Sequence, residues 1–330
     1  VSARWGWVAL GLTACAGRDD PRLPVLDALA TGFVAAELEA LAQATEALAA
    51  TSPCGEGAAA ARDGWWAARA PWKRVELVKF GPVVELPERV GPKLDDWPVN
   101  AAAVEALVAG DGPLDAAAFA AMGSATRGFP VVELLLWGEP LAAGTRRCEV
   151  ATGALADVAA QAAALRGAWA DPWGAWLTRP GGDGPYETVQ AVVDEWVNRL
   201  GFTVENLRLE KLGKPLGDTS GGEVQADALE SPYSGRSLTD ARDALAGVAA
   251  AWEALRGLAT PAVAEAVDER LDAAAVALAA VPEPLATAIV EDRAAVVAAQ
   301  EALQALQVVL QVDVASALGV TVVFNDNDGD

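Results

Sequence analysis

The chain of 330 residues carries 46 acidic against 24 basic side chains, a formal net charge of −22, and no histidine. That balance sets it against nucleic acid, whose phosphates it would repel, and the missing imidazole removes every Ser-His or Cys-His nucleophile pair together with the commonest metal ligand. At 53% hydrophobic residues, the chain is a folded, alanine-rich protein long enough for two domains rather than a disordered one.

Residues 1–15 are expected to be a lipoprotein signal peptide. Arg4 supplies the positive start, and 5–12 is an apolar run too short to span a bilayer. Leu12-Thr13-Ala14-Cys15 resembles a bacterial lipobox, which makes Cys15 the lipidation site, 16–25 a linker, and the destination the periplasmic face of the cell envelope; Ala16 after the cysteine resembles the outer-membrane pattern. The alternative is a fortuitous hydrophobic start. Cys54 and Cys148 remain, and in an exported chain an even pair is most simply a disulfide, with two free thiols the other reading. On the chain-entropy model, closing so long a loop contributes about 4 to 5 kcal/mol. Nothing in their spacing supports zinc.

Apolar residues recur at helical spacing over 26–50, and a second helix carries Trp65, Trp66 and Trp72 over 58–79. Residues 86–100 read as a long loop, and long ordered loops are often functional, so Asp96 and Trp97 are candidate ligand contacts. Short helices over 100–108 and 114–122 lead to T-R-G-F-P-V-V-E-L-L-L-W-G at 126–138. In that stretch Thr126 is a candidate cap, Gly128 permits close approach, and Pro130 fits a first helical turn. Glu133 is expected in the same turn, ionised by the helix dipole although apolar residues surround it. A surface capping role is the alternative.

Helical patterns resume over 149–169 and 187–212, and Ser237 is the expected cap of a helix running to 256. Two more helices cover 261–280 and 284–318, and only 320–324 alternates like a strand. These elements define an all-α chain of two antiparallel helical bundles, 26–150 and 151–330. Carboxylates suit hard cations such as calcium or ferric iron. The candidate metal ligands are Glu133 with Asp326 and Asp328 of the tail, and a solvated acidic terminus is the competing reading for the last two.

Several blocks together resemble the imelysin-like family, bacterial envelope proteins grouped with the M75 peptidases. They are W-K-R-V-E-L-V-K-F-G-P-V from Trp72, D-D-W-P-V-N from Asp95, Y-S-G-R-S-L-T-D from Tyr233 and L-G-V-T-V-V-F-N-D-N-D-G-D from Leu318. Of the family motif Gly-x-His-x-x-Glu, Gly128 matches the first position and Glu133 the last, while Pro130 stands in place of the histidine. The resemblance implies two helical bundles and a ligand cleft between them holding Glu133, with Arg236 and Ser237 facing it and Arg236 pairing with Glu133 or with an anionic ligand. It also implies a non-catalytic binding or accessory role in iron or metal acquisition. A divergent M75-type metallopeptidase with an all-oxygen metal site is the enzyme alternative, which the loss of the histidine disfavours. An envelope scaffold with a protein partner is the third reading.

Overall fold

The computed structural model describes residues 20–323. Cys15 and the tail with Asp326 and Asp328 lie outside the described residues, which contain helices and no strand. Residues 320–323 carry no regular structure where alternation predicts a strand.

The first bundle is built from α1 (Ala35–Ala49), α2 (Ala58–Arg74), α3 (Gly128–Trp137) and α4 (Arg146–Ala168). α1 lies against α2 and α4, and α3 closes the group against the same two helices. The second bundle holds α5 (Val189–Asn206), α6 (Ser237–Leu255), α7 (Pro261–Ala280) and α8 (Arg293–Val308). Hydroxyl and carboxylate caps start several of these rods. Thr145 accepts from the Cys148 amide, Thr188 from Ala191, Thr260 from Val263 and Asp292 from Ala295, each supplying one of the amides a helix start leaves unpaired. Cys54 and Cys148 form a disulfide with Cα atoms 5.9 Å apart, tying the turn before α2 to the first turn of α4.

Three boundaries differ from the sequence reading. α4 runs unbroken through residue 150, so a division there cuts a helix that packs wholly within the first bundle. α2 ends at Arg74 rather than at 79, because the chain turns there with the Val78 amide on Val75 O at 2.8 Å. That turn brings Glu76 inward. The helix expected over 284–318 is broken between Leu285–Glu291 and α8, where Asp292 leaves helical geometry to cap the new rod.

One apolar core passes through both bundles. Trp65, Trp169, Trp196 and Trp252 anchor it, and three of their ring N–H groups find partners: Phe129 O, Ala30 O and Asp268 Oδ1. The described chain begins and ends on α5. Arg22 donates to Gln190 Oε1, Gln190 Nε2 donates to the carbonyls of Leu318 and Gly319, and Asn198 both donates to Thr321 O and accepts from the Val323 amide.

The bundles meet most tightly where α2 crosses α6. A Cβ at Gly247 would lie 1.9 Å from the Arg74 carbonyl oxygen, so only glycine allows this approach. Alanine is the better helix former by about 1 kcal/mol, but overpacking against backbone costs about 1–3 kcal/mol. Gly247→Ala is therefore expected to lower stability by about 1 kcal/mol in urea unfolding, the difference between the two. Unchanged stability would contradict this contact.

Candidate functional site

Trp65, Arg69, Lys73 and Glu76 stand three or four residues apart on one face of α2 and the turn after it, so one stripe carries an aromatic ring and three charges toward the second bundle. Arg69 is 1% exposed and reaches three carboxylates: Asp95 at 2.7 Å, Glu230 at 2.8 Å and Asp240 at 3.2 Å. Lys73 binds Asp95 at 2.9 Å and also Glu230. Lys211 meets Glu76 at 2.8 Å and also Glu230. It enters from the wide π-helical turn Leu207–Gly213, whose extra residue per turn re-aims a side chain. Arg236 pairs with Asp240, and with Asp243 at 2.6 Å, while its guanidinium lies 5.1 Å from the Trp66 ring centroid.

Four cations, Arg69, Lys73, Lys211 and Arg236, thus face five carboxylates, Glu76, Asp95, Glu230, Asp240 and Asp243, drawn from both bundles and the loop after the short helix Gly91–Leu94. Burial works against the charges of Arg69, Asp95 and Glu230, but the partners outweigh it. Lys211, Lys73 and Arg69 hold Glu230 well below the usual carboxylate range, and Arg69 and Lys73 hold Asp95 low. Asp240, Asp95 and Glu230 raise Arg69 in turn.

Glu133 is the exception. It sits in the second turn of α3 rather than the first, beyond the unpaired amides that the dipole argument relies on. Thr126 does not cap the helix: its hydroxyl donates to Gly123 O, while Arg127 occupies the cap position and pairs with Asp157. Gly128 does make the close approach, with φ +79 and a hypothetical Cβ 2.4 Å from Leu94 O. The Glu133 carboxylate is 2% exposed and has no cation within ion-pair distance among the described residues. Its Oε1 accepts from both the amide and the hydroxyl of Ser234, each at 2.7 Å, and its Oε2 has no hydrogen bond among the described residues. Burial pushes its pKa from 4.5 up to about 7, with the two Ser234 hydrogen bonds opposing only part of the rise. The expectation of a carboxylate kept ionised by the helix dipole is corrected accordingly.

Glu133 lines a narrow crevice between the bundles, with Trp65, Arg69, Asp95, Trp97, Pro130, Glu230 and Ser231 as the other walls. The space totals about 160 Å³ and is nowhere wide enough for a free water. Ser231 holds φ +50, an uncommon conformation for a residue with a Cβ, while its hydroxyl donates to Asp240 at 2.5 Å. Of the sequence candidates, Glu133 and Trp97 reach the crevice. Arg236 does not meet Glu133, because Asp240 and Asp243 engage its guanidinium. Ser237 is the first residue of α6 and not its cap, and its hydroxyl donates to Glu230 O. Asp96 makes no ion pair among the described residues; its neighbour Asp95 is the one that joins the network. The sequence reading missed Arg69, Lys73, Lys211, Glu230 and Ser234. The helical spacing of Trp65, Arg69 and Lys73 was the one signal for them.

The model of the peptidase M75 family, described as imelysin, matches residues 29–312. The chain belongs to the imelysin family. It is 27% identical over 287 residues to iron-regulated protein A of Synechococcus elongatus, covering 79% of this chain and 75% of that protein. Its fold is similar to that of an imelysin-like protein from Psychrobacter arcticum, with TM-score 0.76, 19% identity and coverage of 92% and 97% of the two chains. It is also similar to a protein from Parabacteroides distasonis designated an iron-regulated protein A precursor, with TM-score 0.70, 18% identity and coverage of 90% and 95%.

Peptidase chemistry of the metal type needs several ligands converging on one point. Among the described residues no group of three or more histidine, cysteine, aspartate or glutamate side chains is placed to hold a metal ion. The carboxylates that line the crevice with Glu133 are already committed to arginine and lysine, so the described residues there do not fit a resident catalytic metal.

Two outcomes follow from this electrostatic arrangement. Glu230→Gln leaves Lys73, Lys211 and Arg69 short of a buried partner and is expected to cost about 3–5 kcal/mol in urea unfolding, the scale for breaking a buried ion pair. For Glu133, the unfolded chain loses its proton near pH 4.5 while the folded chain keeps it to about 7, so this group lowers stability as pH rises across that window. The stability of Glu133→Gln minus that of the unaltered protein should climb by about 3 kcal/mol between pH 4.5 and 7.5 and level off above. A flat difference would rule out a raised pKa.

Proposed function

We propose that this imelysin-family chain is a non-catalytic accessory protein of the bacterial cell envelope, acting in iron acquisition by holding a ligand at Glu133 between its two bundles. The observation that carries the reading is a buried carboxyl group with one oxygen uncommitted, facing a crevice to which both bundles contribute walls.

The iron connection is supported by the curated relative, an iron-regulated protein A. Placement in the envelope is supported by the lipobox-like leader ending at Cys15, by the precursor designation of the Parabacteroides protein, and by the Cys54–Cys148 disulfide, which fits an oxidising compartment. Anchoring through Cys15 to the outer membrane belongs to the same proposal. Pro130 in place of a histidine and the lack of a converging ligand set among the described residues weigh against the peptidase alternative.

Deleting the chain in its source bacterium is expected to reduce uptake of radiolabelled iron under iron limitation. The unaltered protein should restore uptake and Glu133→Ala should not, at equal abundance. Full restoration by Glu133→Ala would overturn the role given to the crevice.

A further inference from the structure

A surface pocket of about 500 Å³ shares no wall with the Glu133 crevice and lies where the start of the described chain packs on the short helix Gly174–Thr178. Leu26 and Leu177, fully buried beside Asp27 and Thr178, fix its two sides to the core. The charged groups in its walls do not close on one another. Asp20 is neutralised by Arg22 at 2.8 Å. The carboxylate of Asp27 and the guanidinium of Arg179 have no hydrogen bond or ion pair among the described residues, so they stand more than 4.0 Å apart at the same pocket. The Thr178 hydroxyl donates to Gly174 O at 3.0 Å, which leaves its oxygen as an acceptor. A cation and an anion that face one space without meeting match a ligand that carries both charges. A simple anion would meet Asp27 unbalanced, and a simple cation would meet Arg179 in the same way.

Position narrows the ligand further. Asp20 is five residues past Cys15, and five extended residues reach at most about 18 Å, so an acylated Cys15 keeps the pocket beside the headgroups of its own bilayer. The net charge of −22 opposes anionic lipid and favours a headgroup without net charge. Pro21, Leu23 and Pro24 supply an apolar flank for the glycerol end. Resting on the anchoring reading above, we propose that this pocket receives a phospholipid whose headgroup pairs a phosphate diester with a primary ammonium, as in phosphatidylethanolamine. The phosphate sits on Arg179, and the ammonium donates to the Asp27 carboxylate and to Thr178 Oγ1. The contact orients the tethered bundles on the membrane, where a linker alone would let them swing.

The test is native mass spectrometry of the protein purified from its own membranes in detergent, with dioleoyl phosphatidylethanolamine, phosphatidylcholine and phosphatidylglycerol added in turn. Phosphatidylethanolamine is expected to saturate at a single adduct and to bind about tenfold more tightly than the other two, the scale of one charge-assisted hydrogen bond. Phosphatidylcholine has no N–H to give Asp27, and phosphatidylglycerol has no cation. Asp27→Asn and Arg179→Gln should each erase the preference, and Arg179→Lys should keep most of it; all three alter exposed side chains and leave the core intact. Equal binding of the three lipids, or a preference untouched by Asp27→Asn and Arg179→Gln, would overturn the proposal. Displacement of the lipid by an equal concentration of soluble phosphoethanolamine would overturn the assignment to a membrane lipid. The same spectra weigh the acyl groups on Cys15. A chain without them overturns the anchoring reading and this proposal with it, whereas an acylated chain with no headgroup preference overturns the proposal alone.

Discussion

The buried guanidinium of Arg69 is the constraint from which the rest of the site follows. One side chain of α2 meets carboxylates from the 95–97 loop, from the residues before α6 and from α6 itself. A buried charge cannot be left without partners, so these three segments are fixed relative to one another by electrostatics as much as by the apolar core. Such networks are poor sources of net stability compared with hydrophobic packing. What they specify is register: a slide of α6 along α2 by one turn would part Asp240 from Arg69.

That register places Ser234 opposite Glu133. Two carboxylates of one crevice consequently live under different rules. Glu230 is surrounded by three cations and is held strongly ionised, whereas Glu133 receives two hydrogen bonds and no countercharge and titrates near neutrality. The distinction comes from partners and not from burial, since both are withdrawn from bulk water. A protein that merely needed a stable interface could have placed an apolar side chain at 133, given that Val132, Leu134 and Leu135 already pack there.

Helix identity was legible because alanine-rich amphipathic patterns, prolines at helix starts and hydroxyl caps are local signals; the limits of α7 were read correctly at both ends. Boundaries failed where tertiary demands overrode local pattern. α2 stops early to deliver Glu76 to Lys211, and the helix after Pro284 breaks because Asp292 caps a new direction. Glu133 stood out as a charge in an apolar run. Its partner did not, because Ser234 lies 101 residues away and no periodicity links the two. The same holds for Arg69 and Asp240, 171 residues apart. Arg236 was expected to pair with Glu133 or with an anionic ligand, whereas Asp240 and Asp243 on its own helix engage its guanidinium. Choosing Asp96 over Asp95 shows the limit of a loop argument, which marks a stretch but not the direction in which each side chain turns.

The convergence of both ends of the described chain on α5 has a mechanical consequence. Arg22 and the 318–323 segment are held through Gln190 and Asn198, polar contacts at the surface rather than in the core. Tension applied across the two ends would load these few hydrogen bonds first and peel them one after another, leaving the bundles and the Arg69 network unstrained until they had let go. These contacts therefore form a clasp that yields before the bundles do when the two ends of the described chain are drawn apart.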